Sequence, residues 1–258
     1  MHALGLFAGA LLRLDLPGEA RLLVERIEAS AAAMDGLFNA ILDISRLDAG
    51  VVEVAPRAFR VGPYLARICR DLRPEAEAKG LRLRCRSCDE VAWTDPFLLE
   101  RVVRNLVENA IEHGDAHGVD IQIGADDRAI AVRVRDYGVG LRPGESVLVF
   151  NRFWRADPAR ARTTGGTGLG LAIALEDSRL HGGWLEAWGE PGQGACFRLT
   201  LPRDRAVGFE TSPLPLEDDE AVQPPVPAEE PATDVASSPT STGSSPAARF
   251  VISGKDPS

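Results

Sequence analysis

The chain has 258 residues, 45% of them hydrophobic and 26% charged, with 29 basic and 38 acidic side chains and a net charge of −9. This length sustains one or two domains with a real core, and the composition excludes a collagen-like chain, a wholly disordered chain and a small disulfide scaffold. The acidic balance argues against a general nucleic-acid binder, which is ordinarily basic. Lysine is almost absent (Lys79 and Lys255), so arginine supplies nearly all the positive charge. The acidity is concentrated at the C-terminal end. Residues 203–258 hold ten acidic and four basic side chains and half of the 18 prolines, which leaves the preceding body near neutrality.

The first segment, residues 1–49, opens with the longest apolar run, Ala3–Leu12. That run is far short of the roughly 20 residues that cross a bilayer. It has no basic n-region and no small-x-small cleavage site after it, so it reads as helix rather than as a leader or a membrane span. Leu4, Phe7, Leu11 and Leu14 step by threes and fours, Asp15–Gly18 breaks the helix, and Leu23, Ile27, Ser30, Met34, Leu37, Ile41 and Ile44 resume the seam. This is the heptad pattern of helices lying side by side. A hairpin buries too little by itself. Either a second copy completes a four-helix dimer or the hairpin lies on its own chain's globular domain; the narrow, regular seam favours the dimer.

The second segment, residues 50–202, alternates helix-like and strand-like stretches. Arg60–Lys79 reads as a helix, and Leu81–Cys85 and Val91–Trp93 as strands. Asp95-Pro96 is a helix start, with the carboxylate as cap and the proline in the first turn, and this helix runs to about His113. Val119–Gly124 and Ala129–Arg135 alternate like two antiparallel strands. Gly168–His181 is helical, and Trp184–Trp188 with Ala195–Leu201 close a sheet. The order indicates an α+β fold, a two-layer sandwich of helices on a sheet. The four cysteines, Cys69, Cys85, Cys88 and Cys196, read as reduced thiols. Cys85-Arg-Ser-Cys88 is a lone CxxC without the second pair or the histidines of a zinc site. It is either a metal or redox pair, or a strand cysteine followed by a turn cysteine. The third segment, residues 203–258, is rich in Pro, Ser, Glu and Ala, has almost no apolar periodicity and is expected to be disordered.

Four blocks of the middle segment carry chemistry. Asn105 and Asn109 are four apart on one helix face, where two carboxamides can orient phosphates and complete the oxygen shell of a Mg²⁺ ion, or serve as ordinary surface groups. Asp136-Tyr-Gly138-Val-Gly140 follows a strand directly. It is either a turn that ends the strand or an acceptor beside a backbone that a flat ligand can approach. Phe150–Asp157 interleaves aromatics with Arg152 and Arg155, as a loop that closes over phosphates does. Thr164–Leu171 (TGGTGLGL) leads glycines into a helix start, which exposes N–H groups to an anion. No Lys-Ser/Thr follows the glycines, so this is not a Walker loop, and no strand precedes them, so it is not a dinucleotide fingerprint.

In this order within one domain, the four blocks resemble the ATP-binding domain of sensor histidine kinases, within the wider gyrase–Hsp90–kinase–mismatch-repair ATPase superfamily. The match covers about residues 56–202. The stretches DYGVGLRPGE, FNRFWRADPARAR, GGTGLGLAIALEDSRLHGG and LEAWGEPGQGACFRLTLP are most similar to the actinobacterial MtrB-type kinases, as is TSPLPLE at 211–217. Leu42–Gly50 resembles the end of the dimerisation hairpin in such kinases.

The resemblance implies a role for each matching residue. Asp136 accepts a hydrogen bond from the adenine amino group, and Gly138 and Gly140 admit the base. Asn109 ligates Mg²⁺, Asn105 supports the phosphates and Arg155 lies near the γ-phosphate; these three are the catalytic set. Gly166, Gly168 and Gly170 cradle the phosphates, and His113, Phe153, Thr167 and Leu169 complete the nucleotide pocket. Residues 156–167, with Arg160 and Arg162, form a lid. The superfamily's hydrolases carry a water-activating Glu where Asn105 stands here. An amide is not a general base at neutral pH, which favours phosphoryl transfer over hydrolysis.

Two departures stand out. Glu112 occupies a position that is often basic in the family, with His113 as its substitute, and no His-Glu/Asp-x-x-x-Pro phosphoacceptor box is present. The implied protein is a histidine-kinase core that binds ATP and Mg²⁺. It phosphorylates a histidine supplied in trans, pairs with itself or another histidine kinase through the hairpin, and meets a response-regulator receiver domain on the cytoplasmic side. The alternative is a non-catalytic ATP-binding and dimerisation module that modulates a full-length kinase.

Overall fold

A computed structural model describes residues 2–86, 90–115, 117–156, 167–204, 208–217 and 250–252. Helices α1 (His2–Leu11) and α2 (Gly18–Asp48) form the expected hairpin, with the break at residues 12–17. Pro17 sits at the N-cap of α2, where its missing N–H costs nothing. Ala8, Val24 and Ala31 are buried in the hairpin. The heptad residues Leu4, Phe7, Leu23, Ile27, Met34 and Ile41 are exposed, so the seam is not covered among the described residues. The C-terminal part of α2 touches the globular domain of its own chain through Asp43 and Asp48.

The globular domain has two layers. Its sheet has six strands in the order β2-β4-β5-β7-β6-β8: β2 (Leu83–Arg86), β4 (Val119–Ala125), β5 (Ala129–Asp136), β7 (Gly194–Pro202), β6 (Trp184–Glu190) and β8 (Phe250–Ile252). Only the β2–β4 pair is parallel. Alternation along the strands sends Ile121, Ile123, Ile130, Val132, Val134, Phe197 and Leu199 to one face. There they meet the apolar stripes of α3 (Val61–Ala78) and α4 (Pro96–His113), including Leu65, Ile68, Val103, Leu106 and Val107. A short helix α5 (Glu145–Leu148) and helix α6 (Gly170–Leu180) complete this layer. Val91–Trp93, read as a strand, lies outside the main sheet. It belongs to β3 (Val91–Thr94), which pairs antiparallel with β1 (Arg57–Arg60), a strand too short and too exposed to show in the sequence pattern.

Asp95 caps α4 as its position predicts. Its Oδ1 accepts from the N–H groups of Phe97 (2.9 Å) and Leu98 (3.4 Å), and its Oδ2 accepts from Ala55 N at 2.9 Å. One group thus starts the helix and holds the linker from α2. The hairpin is tied to the domain by ion pairs. Arg101 on α4 grips Asp177 of α6 with two bonds of 2.6 and 2.5 Å and reaches Asp43 of α2 at 3.3 Å. Arg152 grips Asp48 with two bonds of 2.8 and 2.5 Å.

The tail departs from expectation. Residues 208–217 lie on the sheet face opposite the helices: Leu216 is buried, and the Phe209 ring sits 4.4 Å from that of Trp184. The composition of 203–258 hides this contact because the apolar side chains are separated by prolines and show no period. Cys85 is a strand cysteine on β2, and Cys88 lies outside the described residues. Among the described residues no helix is long and apolar enough to cross a membrane.

Candidate nucleotide site

The site runs along α4. Val102, Leu106 and Ala110 of this helix are fully buried and fix its rotation. The same rotation leaves Asn105 and Asn109 half-buried on one face. At the Asn105 end, α6 begins. A Cβ on Gly170 would stand 3.0 Å from Asn105 Oδ1, so the bare α-carbon lets the start of α6 close against the carboxamide. Leu169 is buried and its N–H donates to Thr167 Oγ1 at 3.3 Å, which orders the residues entering the helix. Of residues 156–167, expected to form a lid, 157–166, with Gly166, Arg160 and Arg162, lie outside the described residues.

At the other end of α4 stands Asp136, the last residue of β5, which is 1% exposed. Its Oδ1 accepts from Gly138 N at 3.0 Å and from Ala195 N at 3.2 Å. Both bonds fall on one oxygen, which leaves Oδ2 for another donor. Burial raises the Asp136 pKa above the ordinary carboxylate value, and the two backbone N–H groups oppose that rise. The glycines around it also meet a packing requirement of the fold. A Cβ on Gly138 would meet His113 O at 1.8 Å, and one on Gly140, whose φ is +69°, would meet Glu190 O at 1.8 Å. These glycines let the chain pass its own backbone and bring the turn against the end of α4. Gly114 and Gly194 serve the same join; a Cβ on Gly194 would meet Asp136 O at 2.2 Å.

The aromatic–arginine block lies beside the residues that lead into α6. Phe153 is exposed and has φ 64°, a left-handed conformation that non-glycine residues rarely take. Its N–H donates to Gly168 O at 2.8 Å, which joins the two chain segments that flank residues 157–166. Arg155 lies 3.7 Å from Glu112 of α4. The acidic residue at that position is therefore answered by a cation. His113 is exposed at the helix end, and its carbonyl, rather than its ring, is what the structure packs against Gly138.

The structure therefore gathers Asn105, Asn109, Thr167, Leu169, Gly170 and the Arg155–Glu112 pair around one half of α4, and Asp136, Gly138 and His113 around its end. Sequence reasoning missed Gly194 and Ala195, which support Asp136 from the far side of the β6–β7 turn. The glycine was visible in Gly192-Gln-Gly194-Ala195, but only the register of β7 on β5 brings it to Asp136. It also missed the buried Arg101–Asp177 pair, whose partners are distant in sequence.

Comparison with known proteins agrees with this geometry. Residues 94–205 match the family model of histidine kinase-, DNA gyrase B- and HSP90-like ATPases. The chain is 50% identical over 204 residues to the sensor histidine kinase MtrB of Mycobacterium leprae, covering 78% of this chain and 36% of that protein. It is 52% identical over 184 residues to the MtrB of Mycolicibacterium paratuberculosis, covering 70% of this chain and 33% of that protein. Among solved structures, full-length ShkA in complex with AMPPNP superposes with a TM-score of 0.66 at 28% identity, covering 80% of this chain and 43% of that chain. The chain thus spans about a third of the length of the curated relatives it matches. Over that length it belongs to the sensor histidine kinases of the MtrB type, and residues 94–205 are its ATPase domain.

Proposed function

We propose that the chain binds Mg-ATP along α4 and transfers the γ-phosphoryl group to a histidine supplied by another chain. The observation that carries this reading is Asp136. It is a buried carboxylate with one oxygen fixed by two backbone amides and the other available to an amino group. From Asn105 to His113 the helix advances about 12 Å, a length suited to a nucleotide with its base at Asp136 and its phosphates at the start of α6. Oδ2 of Asp136 accepts from the exocyclic amine, and the fixed Oδ1 keeps the carboxylate from rotating away. Asn105 and Asn109 present carboxamide oxygens and N–H groups to the phosphates, and the Gly168–Gly170 backbone offers N–H donors at the helix start. Arg155 pairs with Glu112, one residue before His113, and supplies positive charge from that side of the site. A bound Mg²⁺, held by Asn109, would neutralise charge on the phosphates.

The domain holds a carboxamide, not a carboxylate, at Asn105, so it lacks a base there to activate water. Catalysis rests on positioning and charge stabilisation, as phosphoryl transfer requires. The acceptor comes from a partner hairpin, and the exposed seam of α1 and α2 is the surface where a second copy or another histidine kinase pairs. A response-regulator receiver domain then takes the phosphoryl group, on the cytoplasmic side.

The test is binding and transfer with γ-labelled ATP. Nucleotide should bind the chain, and acid-labile label should appear only when a histidine-bearing kinase hairpin is added. Asp136→Ala removes a hydrogen bond to a charged acceptor, worth about 1.5–3 kcal/mol, and should weaken binding by at least about tenfold. Unchanged affinity in that folded variant would sink the assignment.

A further inference from the structure

The outer face of the sheet carries residues that pair across the strands in rows. One row is Gly124, Ala131, Thr200 and Trp184, on β4, β5, β7 and β6. Three of its four members are small, so the row is a channel crossing the sheet, closed at one end by an indole. The adjacent row is Gln122, Arg133, Arg198 and Glu186, a polar wall beside the channel. Residues 208–217 lie in this channel. The Phe209 ring lies tilted against that of Trp184, centroids 4.4 Å apart, and Ser212 Oγ accepts from Thr200 Oγ1 at 2.9 Å. Leu214 fills the notch at Gly124, where a Cβ would stand 2.7 Å from Leu214 Cδ2. The contacts step from β6 to β7 to β4 in chain order, so the segment runs across the strands. Arg198 donates both to Glu186 Oε2, at 2.9 and 2.5 Å, and to the carbonyl of Leu214. That carbonyl completes a guanidinium only 5% exposed, paired with a carboxylate 1% exposed. Pro213 and Pro215 fit this crossing direction, because a segment running across strands needs no ladder N–H.

We infer that this face is a peptide-binding groove, distinct from the nucleotide site, and that residues 208–217 are its ligand in cis. The groove takes a proline-spaced segment with an aromatic residue at one end, a hydroxyl in the middle and a leucine at the other. It stands independently of the ATP reading, because the channel lies on the sheet face opposite α4. It also extends the folded unit beyond residue 205, where the ATPase family match ends.

The experiment uses the full chain. Phe209→Asp, Leu214→Asp and Leu216→Asp together empty the groove, and a fluorescein-labelled peptide of residues 208–217 is titrated into this variant and into the unaltered chain. The peptide should bind the variant saturably and the unaltered chain at least tenfold more weakly, since the cis segment competes. Adding Gly124→Leu should remove the binding. No binding to a variant that retains its folded circular-dichroism signature, or equal binding to both chains, overturns the inference. Should the triple variant fail to fold, Gly124→Leu in the otherwise unaltered chain decides. Hydrogen exchange in residues 208–217 should quicken at least tenfold while β5 and β7 stay protected. Exchange unaffected by that substitution overturns the inference equally.

Discussion

Asp136 concentrates the chemistry of the site because its two oxygens are treated differently. One is held by amides from opposite sides of the fold, and the other is left for a ligand. Its burial has a pH consequence whose sign follows from linkage. A carboxyl group whose folded-state pKa is raised binds its proton more tightly when folded, so it favours folding at low pH and loses that contribution as pH rises through the raised value. Nucleotide binding goes the other way, because only the ionised carboxylate accepts at both oxygens. Nucleotide affinity should therefore fall on acidification at a pH above that of an ordinary aspartate, and the step should vanish in Asp136→Asn. Titration of fluorescent-nucleotide binding against pH checks this. Asp120 shows the opposite balance. Burial pushes it up, but the Arg84 guanidinium, with bonds of 2.5 and 2.9 Å, and the Tyr137 hydroxyl at 2.6 Å hold it below the ordinary value.

At the scale of elements, α4 is the frame on which both ends of the site hang, and its start rests on Asp95. Asp95→Ala removes the cap from Phe97 and Leu98 and orphans Ala55 N, and should cost about 1–2 kcal/mol of unfolding free energy in urea titration. Asp95→Asn should retain most of the cap. Much of α4 was legible from the residues themselves: Asp-Pro at its start, apolar spacing along it and the Asn pair on one face. The strand end at Asp136 was legible too, but the purpose of its glycines was not. A glycine in a turn signals a close approach without naming what approaches. At Gly138 and Gly140 it is the protein's own carbonyls, from α4 and from β6. Strand β1 escaped notice for a related reason: Arg57–Arg60 is four residues with one partly buried side chain, and only pairing with β3 makes it a strand.

For the whole molecule, ion pairs of unequal worth join α4 to α6 inside the domain and the domain to the hairpin. Asp177 is fully buried, and burial raises its pKa despite the Arg101 bonds. Arg101→Ala leaves that carboxylate unpaired in the core and should cost about 3 kcal/mol, read as a lowered urea midpoint. The Arg152–Asp48 pair is exposed on both sides, 43% and 54%, so Asp48→Ala should move the midpoint far less. The hairpin's other end presents a groove of about 410 Å³ lined by Leu4, Leu23, Ile27 and Met34 among others. If a second hairpin covers it, Ile27→Asp should shift the mass measured by light scattering from dimer to monomer without altering nucleotide affinity.

The local elements and the chemical character of the candidate site are legible in runs of neighbouring residues. Periodicity, a helix cap and glycine placement are properties of neighbouring residues, and they survive in one dimension. The sequence also located the hairpin and its heptad seam. Relations between residues far apart in the chain emerge only when the elements pack. Ala195 supports Asp136, Arg101 bridges α2, α4 and α6, and Glu112 faces Arg155. The tail shows the limit most plainly. Phe209, Leu214 and Leu216 are spaced by prolines and polar residues, with no period to betray a buried face. Phe209 and Leu214 are half-buried against Trp184 and a channel of Gly124, Ala131 and Thr200 drawn from three strands. That channel exists only when the strands pair in register, because each strand contributes a single small side chain to it.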